Sequence, residues 1–277
     1  MLNVREPSVS GMFYPDNPGI LKREVASYLE NADVGPCSCD VYGMISPHAG
    51  YVYSGQVAAY AYKAVSRQRF DTVIVIAPSH RSYFEGVAVW GRGCFKTPLG
   101  EIGIDETTAD ELIGSCDVIA SNENVHRPEH SLEVQLPFLQ CVFDDFMLVP
   151  LLMGAQDETL YERTAASLEK VIRGSSKRFL IVGSTDLSHY HPYEAAVKID
   201  NVAVDHLKDF DVQGMIKDTM SERAQACGAG PMITTMMTSK RLGADQSKVL
   251  NYANSGDVSG DRSAVVGYVS AIFFKGQ

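Results

Sequence analysis

Runs of consecutive apolar residues alternate along this chain with stretches in which apolar residues recur every three or four positions. Residues 41–46, 71–77 (DTVIVIA), 146–153 and 178–184 (RFLIVGS) are short and nearly all apolar or β-branched. Parallel strands buried on both faces have that character. The helical period marks 158–173, with Leu160, Ala165, Leu168 and Ile172 on one side. Asn17-Pro18 reads as a cap and first position for a helix whose stripe is Ile20, Leu21, Val25 and Leu29. Further helices are predicted over 54–65, 106–114, 131–142 (Pro137 sitting early enough to kink it), 193–209, 211–220 and 231–242. Strands over 248–254 and 263–274 close the chain, and 86–104 (GVAVWGRGCFKTPLGEIGI) reads as a β-hairpin excursion with Gly and Pro breaks. No fixed-period repeat, low-complexity run or linker divides these elements. The pattern predicts one α/β domain, 1–277, with a central, mostly parallel sheet flanked by helices on both faces.

Composition narrows the partners. With 45% hydrophobic residues in 277, the chain can build a core of its own. A formal charge of −10 argues against a general binder of nucleic acid or anionic membrane, because basic side chains are not in excess. The longest apolar stretch, 146–155, has about half the length of a membrane span, and the opening MLNVREPSVSGMFYP lacks the basic and apolar regions of a signal peptide. Six scattered cysteines do not form a disulfide framework, and the lone C-x-C of Cys37 and Cys39 is a weak metal signal that reads better as a plain loop. A soluble, reduced, cytoplasmic protein is expected.

The chemistry concentrates after the strands. Three apolar runs end in small-residue turns that carry histidine: MISPHAGY with His48, VIVIAPSHR with His80, and LIVGSTDLSHYH with His189 and His191. In an open parallel sheet, ligands bind beyond the carboxyl ends of the strands, so separate strands would deliver imidazoles to one edge. His48 and His80 lie in proline-flanked turns, where the backbone is pre-set as a metal site requires. A third ligand would come from Asp186, Glu133 or Cys227; spacing alone does not choose among them. Cys227 precedes a helical pattern, where the helix dipole would favour thiolate. Asp186 and His189 form a candidate acid/base pair in which the carboxylate orients the imidazole. Glu129-His130 reads either as support that fixes a ligand tautomer or as a helix-start network. Tyr53, His130, Glu133, Tyr252 and Ser255 are candidate substrate contacts. Walker A, G-x-G-x-x-G after a strand, H-E-x-x-H and G-x-S-x-G are all missing, so phosphate-loop and serine-hydrolase chemistry has no support.

The ordered set PHAGYVYSG, PSH, KTPLG, EHSLEVQLP, STDLSHY, ACGAGP and NYANSGD resembles the Memo family, whose prokaryotic members are called AmmeMemoRadiSam system protein B. The resemblance runs from Arg5-Glu6 to the last strand. It implies a fold similar to class III (LigB-type) extradiol dioxygenases and a metal pocket on His48, His80 and Cys227, with Asp186 and His189 in the remaining pocket positions. Those dioxygenases hold iron(II) with two histidines and a glutamate; a cysteine in the third position would shift preference towards copper(I), zinc or a different iron redox range. The function implied is redox or dioxygenase-like non-haem chemistry on a small unknown substrate, with iron(II) expected first and copper or zinc next. The alternative is a non-catalytic partner protein, since eukaryotic relatives are described as contacting phosphotyrosine peptides and prokaryotic ones are associated with a radical-SAM protein and a third companion.

Overall fold

The computed structural model describes residues 3–35 and 39–276, so Cys37 of the C-x-C pair lies outside the described residues. The chain runs β1 (Val4–Arg5), α1 (Pro18–Asn31), β2 (Asp40–Ser46), α2 (Tyr51–Val65) and β3 (Thr72–Pro78). Next come β4 (Val87–Val89), β5 (Cys94–Thr97), β6 (Gly100–Gly103), α3 (Glu106–Ser115), β7 (Ile119–Ser121) and α4 (Glu123–His126). A 3-10 turn at Glu133–Gln135 leads into α5 (Leu136–Val142), β8 (Met147–Met153), α6 (Glu158–Gly174), β9 (Phe179–Ser184) and β10 (His189–His191). The remainder is α7 (Tyr193–Lys208), α8 (Val212–Met220), α9 (Ala229–Leu242), β11 (Gln246–Asn254), α10 (Ser255–Ser259) and β12 (Val265–Lys275).

The four all-apolar runs become the centre of the sheet. β2, β9, β3 and β8 lie side by side and parallel. Antiparallel β12 and β4 extend the sheet on either side, giving the order β10-β12-β2-β9-β3-β8-β4-β7, with β11 paired to β12. Side chains alternate across it as the pleat demands. Val73, Val75, Ala77, Leu180 and Val182 pack with residues of α1, α2 and α5, while Ile74, Ile76 and Ile181 pack with α3, α6, α7, α8 and α9. The single α/β fold with helices on both faces is therefore present, with a mixed sheet that is parallel at its centre.

Local differences have local causes. Ile20 faces solvent, because the tight stripe of α1 is Leu21 and Val25. The 86–104 segment divides: β4 joins the main sheet, and only β5 and β6 pair as a hairpin, in a second sheet with β1. The 131–142 stretch opens as a 3-10 turn, and Pro137 falls in the first turn of α5, where a missing N–H costs nothing. Cys39 is disulfide-bonded, which corrects the expectation of a fully reduced chain at that position. Among the described residues, no helix is long and apolar enough to cross a membrane.

α9 presses directly on β9. A Cβ on Gly183 would stand 2.7 Å from Thr235 Oγ1 and 2.8 Å from Ile45 Cδ1. Gly183→Val is expected to cost about 1–3 kcal/mol by overpacking, read as a lower urea midpoint.

The segment from 126 to 133 crosses between the two sheets. His126 is buried, with Nε2 donating to Ala88 O at 3.1 Å, and burial pushes its pKa down to about 3. The unfolded chain takes up that proton near pH 6.5, about three units higher than the folded one. Between those values the unfolded state binds more protons, so folded stability falls as pH is lowered. Relative to His126→Gln, the wild type should lose up to about 1.4 kcal/mol per pH unit between about pH 6.5 and pH 4. Urea unfolding of both at about pH 7.5 and pH 5 checks this, and a constant difference would refute it.

Candidate functional site

β2, β9 and β3 are adjacent and end together, and their following turns converge. Ser46 and Ser184 are register partners; His48 and Asp186 each stand two residues further on, and the His48 N–H donates to Asp186 Oδ1 at 2.8 Å. His80 stands two residues past the end of β3. His130 arrives from the segment before α5. The ring centroids of His48, His80 and His130 are 5.2, 5.7 and 4.9 Å apart pairwise, and one ring nitrogen from each lies within 4.8 Å of the others.

Neighbouring groups assign the ring protons. Glu129 is 1% exposed and accepts from His80 N (2.5 Å), His80 Nδ1 (3.1 Å), His130 N (2.9 Å) and Ser131 N (3.0 Å). Burial pushes this carboxyl up, but the hydrogen bonds from His80 and Ser131 outweigh it and hold Glu129 below the usual carboxylate range. An ionised carboxylate only accepts, so His80 carries its proton on Nδ1 and keeps a lone pair on Nε2. His48 is fixed one bond further away. Ser184 Oγ gives its single proton to Ser131 O at 2.7 Å and accepts from Gln135 Nε2 at 2.8 Å. His48 Nδ1, 2.9 Å from that oxygen, must therefore donate to it, and its Nε2 lone pair faces the pocket. Burial, then the adjacent imidazoles, holds the His48 pKa well below its ordinary value, and burial pushes His130 down to about 4.

Cys227 lies against this group. Its Sγ is 3.2 Å from His48 Nε2 and accepts from Asp186 N at 3.4 Å. It approaches because Gly228 lacks a side chain: a Cβ there would stand 2.4 Å from Ser184 O. Burial, reinforced by the Asp186 charge, pushes the Cys227 thiol up, so the helix-start effect expected to favour thiolate does not prevail in the metal-free chain. Burial pushes Asp186 up to about 7. The expected Asp186–His189 pairing is not among the hydrogen bonds. His189 Nδ1 instead donates to Leu187 O at 2.8 Å, leaving Nε2 as the free acceptor. His189 and His191 sit on an irregular edge strand, separated by Tyr190 at φ 62°.

The candidate substrate contacts divide. Tyr53 is exposed in the first turn of α2, which starts three residues earlier than expected. Glu133 is fully buried and committed elsewhere: it pairs with Arg5 and accepts from Ser8 N (2.7 Å), Val9 N (3.0 Å) and Tyr14 OH (2.6 Å). Tyr252 donates to Asp200 Oδ2 at 2.8 Å, and Asp200 accepts from Ser188 N at 2.9 Å, so Tyr252 braces the Asp186 turn from behind. Ser255 Oγ accepts from Val266 N at 3.0 Å. Sequence reasoning missed Ser184 and Tyr268. The last is buried within electrostatic reach of Asp186, Tyr53 and Tyr190. The apolar ends of β9 and β12 that carry Ser184 and Tyr268 gave no sign of chemistry.

The donor set suits a divalent transition metal. Ring nitrogens of the three histidines converge beside a buried carboxylate, and His130 Nδ1 is buried 3.2 Å from Glu129 Oε1 without a hydrogen bond. The chain thus contains a histidine group, with His48 buried, His130 partly buried and His80 open to solvent, able to bind a metal ion. Family comparison agrees on kinship. A model described as "Memo-like protein" matches residues 5–272. A MEMO1 family protein of Methanosarcina mazei is 40% identical over 272 residues, covering 98% of this chain and 99% of the relative. Those of Sulfolobus acidocaldarius and Methanocaldococcus jannaschii are each 37% identical, with the same coverage. A match that spans the sheet, the histidine turns and the cysteine turn together establishes that the chain belongs to the Memo family.

Proposed function

We propose that this protein is a non-haem metalloprotein that carries out redox chemistry on a small substrate in the cytoplasm. The carrying observation is the convergence of His48, His80 and His130 within 4.8 Å, two of them with preset tautomers. His48 and His80 would anchor the metal, with His130 and Cys227 as the remaining protein donors. Iron(II) is the first expectation; mixed imidazole and thiolate donors also admit copper and zinc. The metal would supply electron transfer or polarisation of a substrate oxygen, which no side chain here supplies.

The chain's own residues set the rest. His189 Nε2 is free to take a proton from substrate, its ring held by the Leu187 carbonyl. Asp186, with a pKa near 7, can hold or release a proton at neutral pH. Beside Cys227 and His189 an open cleft of about 340 Å³, lined also by Leu187, Thr219 and Gln225, has room for a small molecule.

Elemental analysis of anaerobically purified and reconstituted protein tests this reading. Near-stoichiometric iron or copper is expected in the wild type, lost in His48→Ala and His80→Ala, and held at least about tenfold more weakly in His130→Ala and Cys227→Ala. Metal-free wild type after reconstitution would refute it.

A further inference from the structure

One arginine, outside the pocket, holds the segment that organises all three imidazoles. Arg5 is 1% exposed, on β1. Its Nε and Nη2 donate to His126 O at 3.2 and 3.1 Å, Nη2 donates to Glu129 O at 2.5 Å, and Nη1 pairs with Glu133. The Phe95 ring lies 5.3 Å from the guanidinium centre. The planar fork therefore grips residues 126–133 at three points, in a stretch that belongs to neither sheet. Glu133 is itself saturated by the backbone and hydroxyl donors of Ser8, Val9 and Tyr14, so the clamp ties the N-terminal segment to the same stretch.

That stretch reaches every imidazole. Glu129 fixes His80, His130 is part of the stretch, and the Ser131 carbonyl takes the Ser184 proton that determines His48. Ser131 Oγ also donates to Pro78 O at 2.7 Å, pinning the segment to the end of β3. We propose that Arg5 is a positioning residue for the metal site, acting through the backbone of His126 and Glu129. Lysine would keep the charge but not the fork, because one ammonium cannot span two carbonyls and a carboxylate in these directions.

This inference rests on the metal-site reading, so its test has two arms. The first is zinc(II) affinity of the whole chain by chelator competition. Arg5→Lys is expected to bind about 10–100-fold more weakly than wild type, while a core variant far from the site, Leu168→Ala, binds unchanged. Combining Arg5→Lys with Glu129→Gln should give less than the product of the two losses, because both act through one group. The second arm uses metal-free protein. The His80 and Ser131 backbone N–H groups should exchange with solvent at least about tenfold faster in Arg5→Lys, with the Ile181 N–H in the sheet unchanged. Should Arg5→Lys not fold, Arg5→Gln with Glu133→Gln removes both buried charges together and is put through both arms. Unchanged affinity with unchanged exchange, or exchange that rises uniformly across the fold, would overturn the proposal. Wild type that takes no metal would sink the metal reading instead, while the exchange arm still tests Arg5.

Discussion

The site depends on the burial of the Glu129 carboxylate. A charge taken out of water must be matched by donors, and four N–H groups from His80, His130 and Ser131 converge on it. Each of those bonds also does something for the pocket: one fixes a tautomer, one fixes a turn, and two fix the segment that carries His130 and Ser131. His48 and His80 thus have their ring tautomers set, and His130 sits on a pinned segment, before any ligand arrives, which lowers the reorganisation that binding would otherwise require. A carboxylate–histidine pair behind a metal position is a general means of raising ligand basicity.

The fold makes this arrangement available. Parallel strands release their turns on one edge, and β9 between β2 and β3 brings Ser184 and Asp186 between the two histidine turns. Cys227 reaches the same edge from the other direction, on the turn that enters α9, by means of the close contact at Gly228. Antiparallel β12 supplies Tyr268, and the small sheet of β1, β5 and β6 supplies Arg5 and the Phe95 ring beneath it. The minor sheet therefore serves the site although it contributes nothing to its surface.

Much of this could be read from the chain. The four central strands are the four all-apolar runs, since burial on both faces leaves no other composition, and the histidine turns follow three of them. His48 and His80 were legible because proline marks a rigid turn. His130 was legible only as an ambiguity, because Glu129-His130 fits a helix start as well as a ligand shell, and here Glu129 serves both the segment and His80. Glu133 looked like a pocket residue because it shares a motif with His130; its partners, Arg5 and Tyr14, lie more than a hundred residues away and leave no local trace. Tyr252 misled in the same way: its partner Asp200 sits on α7, and nothing in the local spacing links the two. Ser184, which sets the His48 tautomer, reads as an ordinary small residue at the end of a strand.

The central claim is that the chain itself fixes which ring nitrogen of His48 and His80 carries the proton. Nitrogen-15 NMR of histidine-labelled, metal-free protein at neutral pH measures this directly. Both residues should show a protonated Nδ1 and an unprotonated Nε2, with Glu129→Gln abolishing the preference at His80 and leaving His48 as it is. A protonated Nε2 at either position in the wild type, or an imidazole averaging between tautomers, would contradict the account.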